Sequence, residues 1–361
     1  MKCGTSLVVI GTPSLMYYKC NLKDLRDLTK FLHARIPDCP ILSEDTGILM
    51  FPYCFTNDVL VNCDLFHEMG HYIYETTRIE KLVREEIRQD LIQFFLTNNI
   101  LAELSEPLLD SKVLADYMLA RVLRWVEEVY ADVFAIRLVG PAFHLAYLEL
   151  QQIVPGLSGN ESTVSVPKKL ETRNNFGDTH PADNYRFKKH AEWLRQSGWM
   201  ESLDEHAGEV ASQLSTCEDM GLEDFMVTCR MPVDLQSGRE KEKELRKWML
   251  AAFDKGVKKA ENDLQSAMNN VEQPIVDFNE HRDAVMDCLA HGVVPSTIFT
   301  HNGQKIHPKP ITVLNCGFYF YLGGMKPLLG RVKNSARPLE RRLMYENRVN
   351  EWLGKAIEDW Q

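Results

Sequence analysis

The sequence has no excess of positive charge, no C-x-x-C pair, no internal repeat and no unbroken apolar run of bilayer length. Lys and Arg number 41 against 51 Asp and Glu, a formal net charge of −10. That balance excludes broad, non-specific attraction to nucleic acid or anionic membrane and leaves room only for a local basic patch. The nine cysteines are odd in number and irregular in spacing, which argues against a disulfide framework and points to reduced thiols and a cytoplasmic location. The opening MKCGTSLVVIGTPSL carries one lysine, a short apolar run and no small-residue cleavage site, so no export signal is expected. The most apolar longer run, Leu138 to Val154, is broken by Gly140-Pro141 and carries His144 and Glu149. It predicts a buried helix and no membrane span.

What is present is ordinary globular composition, with 45% hydrophobic and 25% charged residues over 361 positions. That length predicts two closely packed domains, or one domain with large additions. Residues 1–60 mix strand-length apolar runs, Ser6 to Ile10 and Gly47 to Phe51, with a helical segment from Leu22 to Arg35, and read as a small α+β part. From 61 to 200 the pattern turns helical: Leu82, Ile87, Leu91 and Phe94, then Leu114, Met118, Val122 and Trp125, recur at spacings of three to five. This part is interrupted by a Gly/Ser/Asn/Pro-rich stretch over 155–178, which predicts a long surface loop. Residues 201–361 read as mostly helical, with one apolar segment, Ile311 to Asn315, of strand length. The fold class expected is α+β, predominantly helical.

The chemistry concentrates in "CDLFHEMGH", residues 63–71. On a helix, positions four apart share a face, so His67 and His71 can offer two imidazole nitrogens to one ion. Glu68 lies about 100° around the helix from His67, which puts its carboxylate beside that ion, where it can take a proton from water acidified by zinc. A catalytic zinc needs a third protein ligand and one open position. The segment Trp125 to Asp132 offers Glu128 and Asp132, again four apart: one to ligate, the other to accept the N–H of a ligating histidine. Glu127 is the neighbouring candidate, but its position four residues on is Ala131, which leaves no supporting carboxylate.

The order "HEMGH", then "EVYAD" (128–132), then "THPADNYR" (179–186) resembles the gluzincin metallopeptidases. Within them it is similar to the clade of the CAAX prenyl protease and HtpX, whose pattern is H-E-x-x-H, E-x-x-[AS]-D and T-H-P-x-x-x-x-R. The resemblance covers roughly residues 60–195. It implies a zincin-like catalytic core, zinc held by His67, His71 and Glu128, Glu68 as general base activating the zinc-bound water, and Asp132 orienting a ligand histidine. It places His180 and Arg186 near the site, one of them stabilising the oxyanion or positioning the substrate. The better-known members of that clade are integral membrane proteins; this chain lacks the flanking helices, so neither a membrane setting nor a prenylated substrate carries over.

Other features have plainer readings. Cys63, four residues before His67, invites a thiol ligand but reads as a small packed residue at a helix start. His281, His291, His301 and His307 are spaced too irregularly to share a helix face, so no second metal site is expected among them. The Gly47 to Phe51 run fits either a core strand or an edge strand that binds substrate backbone. The activity expected is zinc-dependent hydrolysis of a peptide or protein substrate. The alternative is a metal-stabilised regulatory or scaffold protein acting through partners bound by its C-terminal region.

Overall fold

A computed structural model describes residues 6–12, 18–19, 46–52, 58–104, 106–156, 172–233, 238–268, 273–299, 302–324 and 338–360, with positions 30, 34 and 35. The chain is predominantly helical with a small sheet, as expected. After the strands β1 (Ser6–Thr12), β2 (Tyr18–Lys19) and β3 (Thr46–Pro52) come helices α1 (Leu65–Thr76), α2 (Ile79–Thr97), α3 (Pro107–Val139) and α4 (Pro141–Gly156). The short strand β4 (Asn175–Phe176) leads into α5 (Asp183–Gln196) and α6 (Met200–Glu218), and β5 (Met226–Val227) into α7 (Arg239–Met268) and α8 (Pro274–His291). The strand pair β6 (Ile298–Phe299) and β7 (Lys305–Ile306) precedes α9 (Pro310–Tyr319) and α10 (Pro338–Trp360). No helix among the described residues is long and apolar enough to cross a membrane. Contacts group the chain into two compact units: Met1–Tyr72 with Leu138–Lys168 and Pro274–Gln361, and Ile73–Arg137 with Lys169–Gln273.

The first unit holds the sheet, in strand order β1-β3-β2. β1 runs parallel to β3 from Ser6 opposite Thr46 to Thr12 opposite Pro52, and β2 pairs antiparallel with Tyr18 opposite Met50. β3 is therefore the central strand of the three, bonded to β1 along its length and to β2 at Leu49 and Met50. A parallel pair needs a crossover between its strands; most of the helix expected over Leu22 to Arg35 lies outside the described residues. The loop expected over 155–178 is described only at its two ends, and there 155–156 close α4 while 175–176 form β4.

The Ile311 to Asn315 segment is helical, the opening of α9, where a strand was one reading. Pro310 occupies the first helical turn, where its missing N–H costs nothing. Every residue from Thr312 to Tyr319 is buried, so the segment has no polar stripe to reveal a period of 3.6. Asn315 makes that burial tolerable: its amide donates to the Val139 carbonyl at 2.9 Å, and its Oδ1 accepts from the Ala142 N–H at 2.9 Å. Those bonds fix the corner between α3 and α4, where Gly140 adopts φ 65°, a conformation that favours glycine.

The second unit is built on α2, α3 and α7. Ile79, Val83, Ile87, Leu91 and Phe95 form one buried stripe of α2, at intervals of four. An aromatic cluster fills the space beside α3: Phe176 lies 5.0 Å from both Trp125 and Phe253, and Tyr185 lies 4.7 Å from Phe253. Gly256 of α7 permits the close approach of α2 and α3. A Cβ there would stand 2.9 Å from Val126 Cγ2 and 3.0 Å from Ile87 Cδ1, both stiff β-branched side chains in the core. Gly256→Ala is expected to lower the unfolding free energy by about 1–3 kcal/mol despite alanine's better helix propensity, read by urea denaturation.

Candidate metal centre

Helix α1 carries the H-E-x-x-H segment and follows directly on a short 3-10 turn, Val61–Asp64. That turn is set by the Asp58 carboxylate, which accepts the Val61 N–H at 3.1 Å. One helical turn apart, His67 and His71 bring their Nε2 atoms to 3.0 Å. The rings meet edge to face, with centroids 4.6 Å apart and planes at 89°. Phe143 of α4 lies parallel to the His67 ring at 6.0 Å and forms a wall that sets its plane. The carboxylate of Glu68 joins them: one donor atom from each of His67, Glu68 and His71 lies within 4.8 Å of the others. His67 and Glu68 are 7% and 8% exposed.

This donor set could hold a metal ion. Two zinc-bound nitrogens at ~2.0–2.1 Å, held at a tetrahedral angle, stand about 3.3 Å apart, close to the spacing found. Two imidazole lone pairs at 3.0 Å repel unless a proton or a cation lies between them. Glu68 stands close enough to such an ion either to act on its water or to bind it. Cys63 is buried just before the helix, and burial, with Asp58 and Asp64 adding, pushes its thiol up, away from the thiolate that a metal requires. Its packing role is the one the surroundings support.

In the second unit, α3 places Glu128 and Asp132 one turn apart in a stretch, Trp125 to Ile136, buried on almost every face. Neither carboxylate lies on a solvated helix surface: Glu128 is 7% and Asp132 0% exposed. A buried carboxylate must be paired or lose its charge. Arg186 supplies the pair as a fork, Nε donating to Oδ2 and Nη2 to Oδ1 of Asp132, each at 2.6 Å. His190 Nε2 stands 3.1 Å from the same carboxylate. Burial by itself would push the Asp132 carboxyl up; Arg186, and after it His190, outweigh that effect and hold it well below the usual carboxylate range.

His190 is the member of this cluster that sequence reasoning missed. The signal was available: His190 follows Arg186 by four residues, so on α5 the two share a face. His180 sits differently from Arg186. Its side chain is 55% exposed, with Nε2 3.9 Å from Glu128 Oε1 and Nδ1 2.8 Å from Thr179 Oγ1. Its backbone is anchored from below, because Trp125 Nε1 donates to the Gly177 carbonyl at 3.1 Å and the Gly177 N–H donates to the His180 carbonyl at 3.2 Å. The structure thus groups His67, Glu68 and His71 in the first unit, and Glu128, Asp132, His180, Arg186 and His190 in the second.

The C-terminal histidines have separate partners: His281 faces Asp277 at 3.2 Å, while Nδ1 of His291 and of His307 meet backbone carbonyls at 2.9 and 2.7 Å. His301 lies outside the described residues. No protein family, curated protein or solved structure matches the chain.

The Asp132 pair makes a definite prediction. Arg186→Met leaves a buried carboxylate without its fork and is expected to lower the unfolding free energy by about 3–5 kcal/mol, while Asp132→Leu with Arg186→Met recovers most of the loss. The sign with pH follows from the depressed carboxyl. Its contribution is complete above pH ~4 and is lost as pH falls through the folded-state value, so Asp132→Asn should shrink the acid limb of a denaturation profile.

Proposed function

We propose that the chain is a zinc-dependent metallopeptidase of gluzincin type. The observation that carries this reading is the His67–His71 pair, Nε2 to Nε2 at 3.0 Å on one helix, with the Glu68 carboxylate in the same cluster. The order of H-E-x-x-H, E-x-x-x-D and T-H-P-x-x-x-x-R along the chain supports it, and on that pattern Glu128 is the third ligand. Zinc, when bound, supplies a Lewis acid that polarises the scissile carbonyl and acidifies water at neutral pH.

The chain's own residues do the rest. Glu68 takes the proton of the attacking water and returns it to the departing amine. Its 8% exposure keeps that carboxylate from being hydrated by bulk solvent. His180, its side chain more than half exposed, is in this reading the group that approaches a substrate and donates to the carbonyl oxygen. Arg186 is 5% exposed and forked onto Asp132, so in this reading it is a positioning residue that holds α5, and with it the segment leading to His180, against α3.

The test uses the purified full chain, zinc analysis by mass spectrometry and a library of quenched fluorogenic peptides. Stoichiometric zinc is expected, lost in His67→Ala and in His71→Ala. Glu68→Gln is expected to keep zinc while hydrolysis falls by at least about a hundredfold. Cleavage undiminished in Glu68→Gln, or a wild-type chain without zinc, overturns the proposal. If Glu68→Gln leaves biological function intact while His67→Ala abolishes folding, the metal is structural and the chain is a scaffold.

A further inference from the structure

A groove of about 640 Å³, lined by none of the candidate metal-centre residues, opens in the second unit between α7 and the segment that carries β5. Its floor is apolar: Leu222, Phe225, Met226 and Val227 on one side and Leu250 of α7 on the other. Met226 is 60% exposed there. Along its rim α7 sets out Arg239, Lys243, Arg246 and Lys247, at intervals that place them on one helix face. Two carboxylates, Glu223 and Glu242, also border it. Four cations against two anions make this a locally basic face on a chain whose net charge is −10.

The charges are unevenly committed. Arg246 is used internally: Nη1 donates to the Val227 carbonyl at 2.6 Å and Nη2 to Glu242 at 3.4 Å. Arg239, Lys243 and Lys247 pair with no carboxylate among the described residues. Lys243 and Lys247 line the groove and are both exposed, and no ion pair holds either of them among the described residues. An apolar floor under uncompensated cations is the composition of a ligand site, mostly hydrophobic with a few placed charges, and its volume falls in the usual small-molecule range.

The occupant can be narrowed. β5 bonds to β4 on one side, with the Met226 N–H donating to Asn174 and the Thr228 N–H to Phe176. On its other side the Val227 carbonyl is capped by Arg246, so a peptide strand finds that acceptor already taken. What remains on offer is chiefly apolar contact and positive charge, with the outward carbonyl of β5 already bonded. We infer that this groove binds an amphiphilic small-molecule anion, an acyl chain ending in a carboxylate, with the chain along Phe225, Met226 and Leu250 and the head group between Lys243 and Lys247. This site is independent of the proposed metal centre.

The experiment is isothermal titration calorimetry of the full chain with decanoate, with acetate and decanol as head-only and tail-only probes. Decanoate is expected to bind at one site per chain, more tightly in low salt than in high, and at least about tenfold more tightly than either probe. Lys243→Glu combined with Lys247→Glu is expected to weaken decanoate at least about tenfold, and Met226→Asp to do the same from the apolar side. Lys243→Ala with Lys247→Ala gives a milder loss in the same direction and guards against misfolding, which the melting temperature of each variant checks. Zinc content and peptide hydrolysis stay unchanged in all of them, so failure here and failure of the peptidase reading are separable. No saturable binding, binding unchanged in every variant, or decanol bound as tightly as decanoate overturns the inference.

Discussion

A carboxylate with no exposed surface can keep its charge only where a cation is held against it, and Asp132 is such a carboxylate. Arg186 answers it with both arms of its guanidinium, and His190 adds a third contact from the same face of α5. The pair ties α3 to α5 at a fixed rotation, because a bidentate fork tolerates little change of angle. Glu128 is one turn from Asp132 on α3, and His180 lies six residues before Arg186, so both inherit their positions from this contact. Removing either partner leaves the other charge buried and unpaired, a cost that holds the two helices in this register.

The two histidines of α1 obey a different constraint. Their convergence needs nothing beyond one turn of helix, and Phe143 then selects the ring plane of His67. Nitrogen lone pairs brought that close are arranged for a cation or a shared proton. Burial of Glu68 beside them joins a carboxylate to that arrangement. The second unit shows how the same helical spacing serves another purpose: on α7 it lines cations along a groove instead of converging donors on a point.

Much of the fold was readable in advance. The helical period of α2 and α3 followed from Ile87, Leu91, Leu114 and Val122, and the strand-length runs at Ser6 and Gly47 became paired strands. The Ile311 segment was ambiguous because a helix buried on all sides has no polar stripe, and the central place of β3 depends on partners that no local pattern names. The acidic pair on α3 could equally have been a solvated face, and only the apolar surroundings of Trp125 to Ile136 distinguish the cases. Between His180 and Arg186, adjacent in one motif, the sequence offers no ranking. Exposure separates them, one open to solvent and the other forked onto a buried carboxylate.

By itself the sequence determined what the backbone period controls: which residues share a helix face, and therefore that His67 meets His71, Glu128 precedes Asp132 by one turn, and Arg186 aligns with His190. It also set the overall charge and the absence of a long apolar run. Tertiary structure alone decided which of those faces are buried, that Asp132 takes its counter-charge from a helix 54 positions along the chain, and that Arg246 caps the Val227 carbonyl while Lys243 and Lys247 form no ion pair among the described residues. The physical reason is range. A helical repeat is written in every few residues, whereas dielectric surroundings and ion-pair partners are made by segments distant in sequence and brought together only by the packed core.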